Sequence, residues 1–254
     1  MSTLADVRLR FADPGDHLPG VRPCDPRGAI PSAAALGRCG RQADLAALPD
    51  SFQGIRSRCV KIVPTDLRGA VIVELDVHGD ARGFFVERFQ LDRFLELGLP
   101  TTIVQLNHSR SQPGVLRGLH YQHTPAQGKL VGVTRGRIWD VAVDIRVGSD
   151  TFGQSIAVEL SDMNGRMLWI PSGFAHGFCV LGDEPVDLVY QTDAAYNPLG
   201  EAGIAWDDPD LGIAWPIAQP TVSARDRNLP SFTAYRRETE YRFPLASNGM
   251  PVRV

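Results

Sequence analysis

The chain has 254 residues and a formal net charge of −3, with an isoelectric point near 6.1. This length can bury one large β domain or two small ones, and the absence of a basic excess sets nucleic acid aside as a partner. No apolar run is long enough to span a bilayer and the N-terminus lacks a basic-then-apolar secretory pattern, so a cytoplasmic protein without membrane partners is expected.

Cys24, Cys39, Cys59 and Cys179 show neither C-x-x-C spacing nor the density of a disulfide scaffold. Cys179, between Phe178 and Val180, reads as a buried apolar residue rather than a reactive thiol. Residues 1–60 scatter Pro, Gly, Arg and Ala with no sustained period of 2 or 3.6. Too little apolar surface is available there to offset ordering entropy, which predicts a disordered or weakly ordered extension. A regulatory or partner-binding tail is the alternative.

Residues 61–254 have a different texture: short β-branched runs punctuated by Gly, Pro, Asn and Asp, the pattern of a single all-β sandwich or barrel domain. In chain order, a strand is expected at AVIVEL (70–75) and a helix at LDRFLELG (91–98). In that helix Leu91, Phe94 and Leu95 share a face and Gly98 serves as the C-terminal cap. Further strands are expected at KLVGVTRG (129–136), RIWDVAVDIR (137–146), QSIAVELS (154–161), RMLWIP (166–171), HGFCVL (176–181) and DLVYQT (187–192). In RIWDVAVDIR alternation puts Arg137, Trp139, Val141, Val143 and Ile145 on one face, and Ile138, Asp140, Ala142, Asp144 and Arg146 on the other. A barrel wall with a polar-lined mouth and a surface strand with a solvated face both fit.

The most polar motif is GVLRGLHYQHTPAQGKLVGV (114–133), with Arg117, His120, His123 and Lys129 among apolar neighbours. Downstream, Gly165, Pro171, Gly173 and His176 form G-x5-P-x-G-x2-H, which resembles the second motif of the cupin superfamily of small β-barrels. In metal-binding cupins the first motif supplies H-x-H and a glutamate, because residues i and i+2 of a strand point into one cavity. Here His120 and His123 are three apart, and Lys129 stands near the expected glutamate, where its charge repels a cation. The metal reading is therefore set aside. Proton transfer remains: His is suited to general-base work, Lys129 to holding enolate charge and Arg117 to a phosphate. His123 is assigned no chemistry.

The segments DARGFFVERF, VQLNHSRS, GVLRGLHYQ, VAVDIRVGSDTFG, LWIPSGFAHGF, VYQTDAAYNPLGEAGIAWDDPDLGIAWP and VSARD resemble, in this order from about residue 60 to residue 231, the dTDP-4-dehydrorhamnose 3,5-epimerase family. The resemblance implies a cupin-like, jelly-roll β-barrel with short peripheral helices, acting without metal or other cofactor on a dTDP-linked 4-keto-6-deoxy sugar. It implies that His120 is the base, Asp226 its dyad partner, Tyr190 the acid on the opposite face of the sugar ring, and Lys129 the holder of the enolate. Arg82, Glu87, Gln105, Asn107, Arg117, His176, Tyr196, Glu201 and Arg225 match binding positions, with Tyr196 stacking on thymine and Arg225 standing where lysine is common. Asp140 is read either as a partner of Lys129 or as an ordinary polar strand residue. By themselves, Tyr196 reads better as a packed loop aromatic, and Glu87 and Glu201 as solvated charges. The resemblance also implies a homodimer in which N-terminal strands cross between subunits. Alternatives are an epimerase acting at C3 or C5 only, a metal-dependent cupin oxygenase or isomerase, and a non-catalytic sugar-nucleotide binding module.

Overall fold

The computed structural model describes residues 60–237 and 243–244; the expectations for residues 1–59 lie outside them. The elements run β1 (Lys61–Pro64), β2 (Val71–Glu74), β3 (Val77–Asp80), β4 (Gly83–Val86), α1 (Leu91–Glu96), β5 (Gln105–Ser111), β6 (Leu116–Gln122), β7 (Lys129–Arg135) and β8 (Arg137–Asp144). They continue with β9 (Arg146–Val147), β10 (Ser155–Ser161), β11 (Arg166–Ile170), β12 (Phe174–Leu181), β13 (Val186–Thr192), β14 (Glu201–Gly203), α2 (Ala224–Arg227), α3 (Phe232–Arg237) and β15 (Phe243–Pro244). A six-stranded sheet, in the order β1-β2-β11-β7-β13-β5, faces a five-stranded sheet, in the order β10-β8-β12-β6-β14. Every pairing within these two sheets is antiparallel. β3 and β4 form a separate hairpin.

Three apolar layers follow from the period of two. Between the sheets, Val131, Val133, Leu168, Ile170 and Leu188 meet Ile138, Ala142, Val158, Phe174, Phe178 and Val180. Behind the five-stranded sheet, Val141, Val143 and Ile145 pack under Ile204, Leu211, Phe232 and Tyr235. Behind the six-stranded sheet, Val73, Leu130 and Met167 pack against Phe94 of α1 and Leu99. Both faces of β8 are thus covered, which rules out the solvated-face alternative for that strand. Cys179 is fully buried, and burial pushes its thiol up to about 11.

Helix α1 ends as expected, in a Schellman arrangement: Leu99 N–H donates to Phe94 C=O and Gly98 N–H to Leu95 C=O, with Gly98 at φ +69°. Its buried face differs from expectation. Phe94 is buried, whereas Leu91 and Leu95 are 49% and 57% exposed. A helix of six residues presents little more than one position to the sheet, and Phe94 occupies it with an edge-on contact to Phe89.

One irregularity decides the site. Strict alternation would send Arg117 and His120 to opposite faces of β6. Between them, the β6–β12 register slips: His120 pairs with His176 but Arg117 pairs with Phe178, so one extra residue is accommodated in β6. Gly118 takes φ +134° there, and a Cβ on it would fall 2.5 Å from Gly177 Cα. Only glycine accepts both that backbone conformation and that approach.

Candidate active site

A cavity of about 300 Å³ opens between the sheets. The six-stranded sheet contributes Gln105 and Asn107 from β5, Lys129 from β7 and Tyr190 from β13; the five-stranded sheet contributes His120 from β6 and Glu201 from β14. A smaller cavity of about 150 Å³ shares His120, Lys129 and Tyr190, and adds Arg117, His176 and Ser109. Because Arg117 and His120 flank the bulge, one strand supplies both a guanidinium and an imidazole to this space.

His120 Nε2–H donates to Asp226 Oδ1 at 2.7 Å, leaving Nδ1 for a ligand. Asp226 is positioned by local chain chemistry. Ser223 caps α2 by accepting from Asp226 N–H at 3.0 Å, which turns the carboxylate away from the helix toward β6. Gly118 N–H reaches its other oxygen, Oδ2, at 3.3 Å. Burial works to raise the Asp226 carboxyl, but the hydrogen bond and charge of His120, with the Gly118 N–H, hold it below its ordinary value.

The second histidine has its own carboxylate: His176 Nε2–H donates to Asp140 Oδ1 at 2.7 Å, with both side chains buried. The hydrogen bond of Asp140 thus goes to His176 rather than to Lys129. The β12–β8 register explains the pairing, since Asp140 lies opposite Phe178, two residues along the same face from His176. Asp140 still attracts Lys129 at longer range. Burial pushes the Lys129 ammonium down to about 8, against the pull of Glu201 and Asp140. Burial also raises the Tyr190 phenol, with Glu201 adding to the rise and Arg117 opposing it, so the phenol keeps its proton at neutral pH.

At the cavity mouth, Tyr196 Oη and Arg225 Nη1 both donate to Glu201 Oε2, each at 2.8 Å. Tyr196 N–H donates to Gln105 Oε1, and Gln105 Nε2 to Asn107 Oδ1. Tyr121, Gln122 and Gln127, which the sequence did not single out, line the same cavity. Gln122 holds Pro125 C=O, Ala195 C=O and Asn197 N–H, while Gln127 holds Ala194 C=O, so together they fasten the loop that carries Tyr196. Their partners on that loop lie about 70 residues away in sequence, out of reach of any local pattern.

Arg82 and Glu87 are not brought to this cavity within the chain. Arg82 lies on the β3–β4 hairpin, bound to Asp80 and lining a separate hollow with Phe84 and Phe85. Glu87 pairs with Arg93 at 2.6 Å. Among the described residues, no three His, Cys, Asp or Glu side chains cluster as a metal-ligand set.

An imidazole–carboxylate pair on one wall and a protonated phenol and an ammonium on the other are the parts for moving protons on and off carbon beside a carbonyl. The fold and these residues define a cupin-like β-barrel isomerase. The family model described as dTDP-4-dehydrorhamnose 3,5-epimerase matches residues 64–234. The chain belongs to that family. It is 49% identical over 175 residues to the dTDP-4-dehydrorhamnose 3,5-epimerase of Shigella flexneri, covering 68% of this chain and 96% of that one. A Legionella pneumophila dTDP-6-deoxy-D-glucose-3,5-epimerase, solved in complex with dTDP-4-keto-L-rhamnose, superposes with a TM-score of 0.67 at 47% identity, covering 69% of this chain and 94% of that one. A 4-keto-6-deoxy sugar epimerase from the novobiocin gene cluster of Streptomyces spheroides superposes with a TM-score of 0.68 at 35% identity, covering 72% and 92%.

Proposed function

We propose that the chain epimerises dTDP-4-dehydro-6-deoxy-D-glucose at C3 and C5, giving dTDP-4-dehydro-L-rhamnose. The observation that carries this reading is the placement of His120 and Tyr190 on different sheets, facing one cavity. The 4-keto group acidifies the C–H bonds at C3 and C5. His120, oriented by Asp226, removes a proton from one face of the sugar ring. Lys129 stabilises the negative charge that develops on the 4-oxygen. Tyr190 then donates a proton from the opposite face, which inverts the centre. Repetition at the second carbon completes the reaction, and solvent returns His120 and Tyr190 to their starting protonation states.

Gln105, Asn107, Arg117, Tyr196, Glu201 and Arg225 are assigned to the nucleoside diphosphate, with Tyr196 stacking on the base and Arg117 meeting phosphate. His176 contacts the sugar. Arg82 and Glu87 are assigned to the site of a second copy, in a homodimer whose hairpins cross. Their distance from this chain's own cavity and the exposed Phe84 and Phe85 support that reading. Residues 61–254 form the epimerase domain, and the protein works in the cytoplasm. Among the described residues no helix is long and apolar enough to cross a membrane.

Product analysis by NMR in heavy water tests the reaction. Deuterium at both C3 and C5 of an inverted product is expected. Label and inversion at one carbon would assign a C3- or C5-only epimerase, and label at neither would overturn the reading. Light scattering tests the dimer.

A further inference from the structure

Glu201 occupies an unusual place for a residue at a nucleotide-binding mouth. It sits on β14 opposite Gln122, and Gly203, two residues along, is the register partner of His120. Its carboxylate lines the same cavity as His120, Lys129 and Tyr190. Tyr196 Oη and Arg225 Nη1 converge on one of its oxygens, Oε2, at 2.8 Å each. The carboxylate is therefore clamped from the loop side and from α2, where it presents a fixed negative charge to the reacting groups.

We infer that Glu201 is a positioning residue for the proton transfers, its clamped carboxylate keeping Lys129 charged and Tyr190 protonated, in addition to any contact with the nucleotide. This inference rests on the epimerase reading above. The charged groups facing this centre support it. From β6 come His120 and Arg117, and from β7 Lys129; Asp140 and His176 lie beneath on β8 and β12, Tyr190 on β13, and Arg225 and Asp226 on α2. Among these, Glu201 is the largest influence opposing the burial that depresses Lys129, ahead of Asp140. It also adds to the burial that raises Tyr190. Burial acts to raise Glu201 itself, while Arg225, Tyr196 and His120 hold it ionised. Loss of this one charge acts on two reacting groups in the same sense, making both release their protons at lower pH.

The test compares Glu201→Gln with Glu201→Asp in the wild-type chain. Kinetics are followed across pH with dTDP-4-dehydro-6-deoxy-D-glucose in heavy water. For Glu201→Gln, the alkaline midpoint of kcat is expected to move down by about one pH unit. For Glu201→Asp, which keeps the charge, the midpoint should stay near that of wild type even where KM rises. NMR titration of labelled lysine reads Lys129 directly, without turnover, and should show the same downward shift in Glu201→Gln. If Glu201→Gln raises KM while the kcat profile and the Lys129 titration stay in place, Glu201 is a binding residue alone and the inference is overturned. Equal displacement of the midpoint in the Gln and Asp variants also overturns it, because shape rather than charge is then at work. A wild-type chain that incorporates no deuterium overturns the epimerase reading, while a Lys129 titration that still moves down in Glu201→Gln upholds this inference independently of it.

Discussion

His120 and His176 are register partners across β6 and β12, and each imidazole holds its own buried carboxylate at 2.7 Å, Asp226 for the first and Asp140 for the second. The two pairs have different surroundings. Asp226 also accepts the Gly118 N–H on Oδ2, whereas Asp140 Oδ2 is buried with no hydrogen-bond partner among the described residues. The Asp226 pair is satisfied and the Asp140 pair retains an unmatched oxygen within range of Lys129.

Replacing Asp226 with Asn leaves the shape of the dyad and removes its charge. kcat for epimerisation is expected to fall by about 10²–10⁴-fold, the range carried by an oriented general base. KM should change little, since Asp226 lies behind the imidazole. Steady-state kinetics check this, and a kcat within a few-fold of wild type would remove Asp226 from the mechanism.

Tyr190→Phe removes only the phenolic proton donor. Exchange of substrate C–H for deuterium should continue, because His120 and Lys129 remain, while the inverted product disappears. NMR of the recovered sugar nucleotide distinguishes the two. Undiminished inversion would show that another group delivers the proton.

Activity should decline as pH rises through about 8, where Lys129 loses its charge. The stability consequence has the opposite sense. Below about 8 Lys129 is protonated in folded and unfolded chain alike, and the folded state bears the cost of burying the charge. Between about 8 and the ordinary lysine value of 10.5 the unfolded chain binds more protons, so this group's contribution to stability improves with pH. Lys129→Met should therefore lose epimerase activity by about 10²-fold or more yet melt higher at neutral pH, because the folded state no longer bears that net cost. Calorimetry and kinetics on the same sample test both halves.

Asp144 and Arg146 form a fully buried bidentate pair, with Nε–Oδ1 at 2.8 Å and Nη2–Oδ2 at 2.7 Å, and the guanidinium lies 4.4 Å from the centre of the Phe174 ring. Asp144→Ala strands a buried guanidinium and is expected to cost about 3–5 kcal/mol. Denaturant unfolding measures it. Burial acts to raise the Asp144 carboxyl, but Arg146, Ser149 and Thr151 hold it below 3.8. Its stabilising contribution is thus complete above the ordinary aspartate range and lost as pH falls through its lowered value. In the variant, the acid limb of the stability curve should flatten.

What was legible in sequence had a short range or a dense motif. The strand Arg137–Asp144 could be read from alternation, though it ends two residues before the expected 146, and the end of α1 from Gly98, because a left-handed residue after an apolar turn leaves a local mark. Burial of Leu91 and Leu95 was misjudged, since helical spacing says which residues share a face but not how wide a strip of that face the sheet covers. The pairing of Asp140 with His176 depends on the register of β12 against β8, joined across 36 positions, and no local pattern encodes register. The presence of Arg117 and His120 in one cavity depends on a bulge whose only sequence trace is a glycine, a residue with many other uses. The clamp on Glu201 joins residues from a loop and a helix that meet only after the barrel closes.

The division of His120 and Tyr190 between two sheets has a consequence for handedness. On the proposed roles, the face from which a proton leaves and the face to which one arrives are set by which sheet carries each residue. The proposed mechanism then makes the barrel a chiral vise: a flat enolate held between the two sheets would have one face toward each, and inversion would follow.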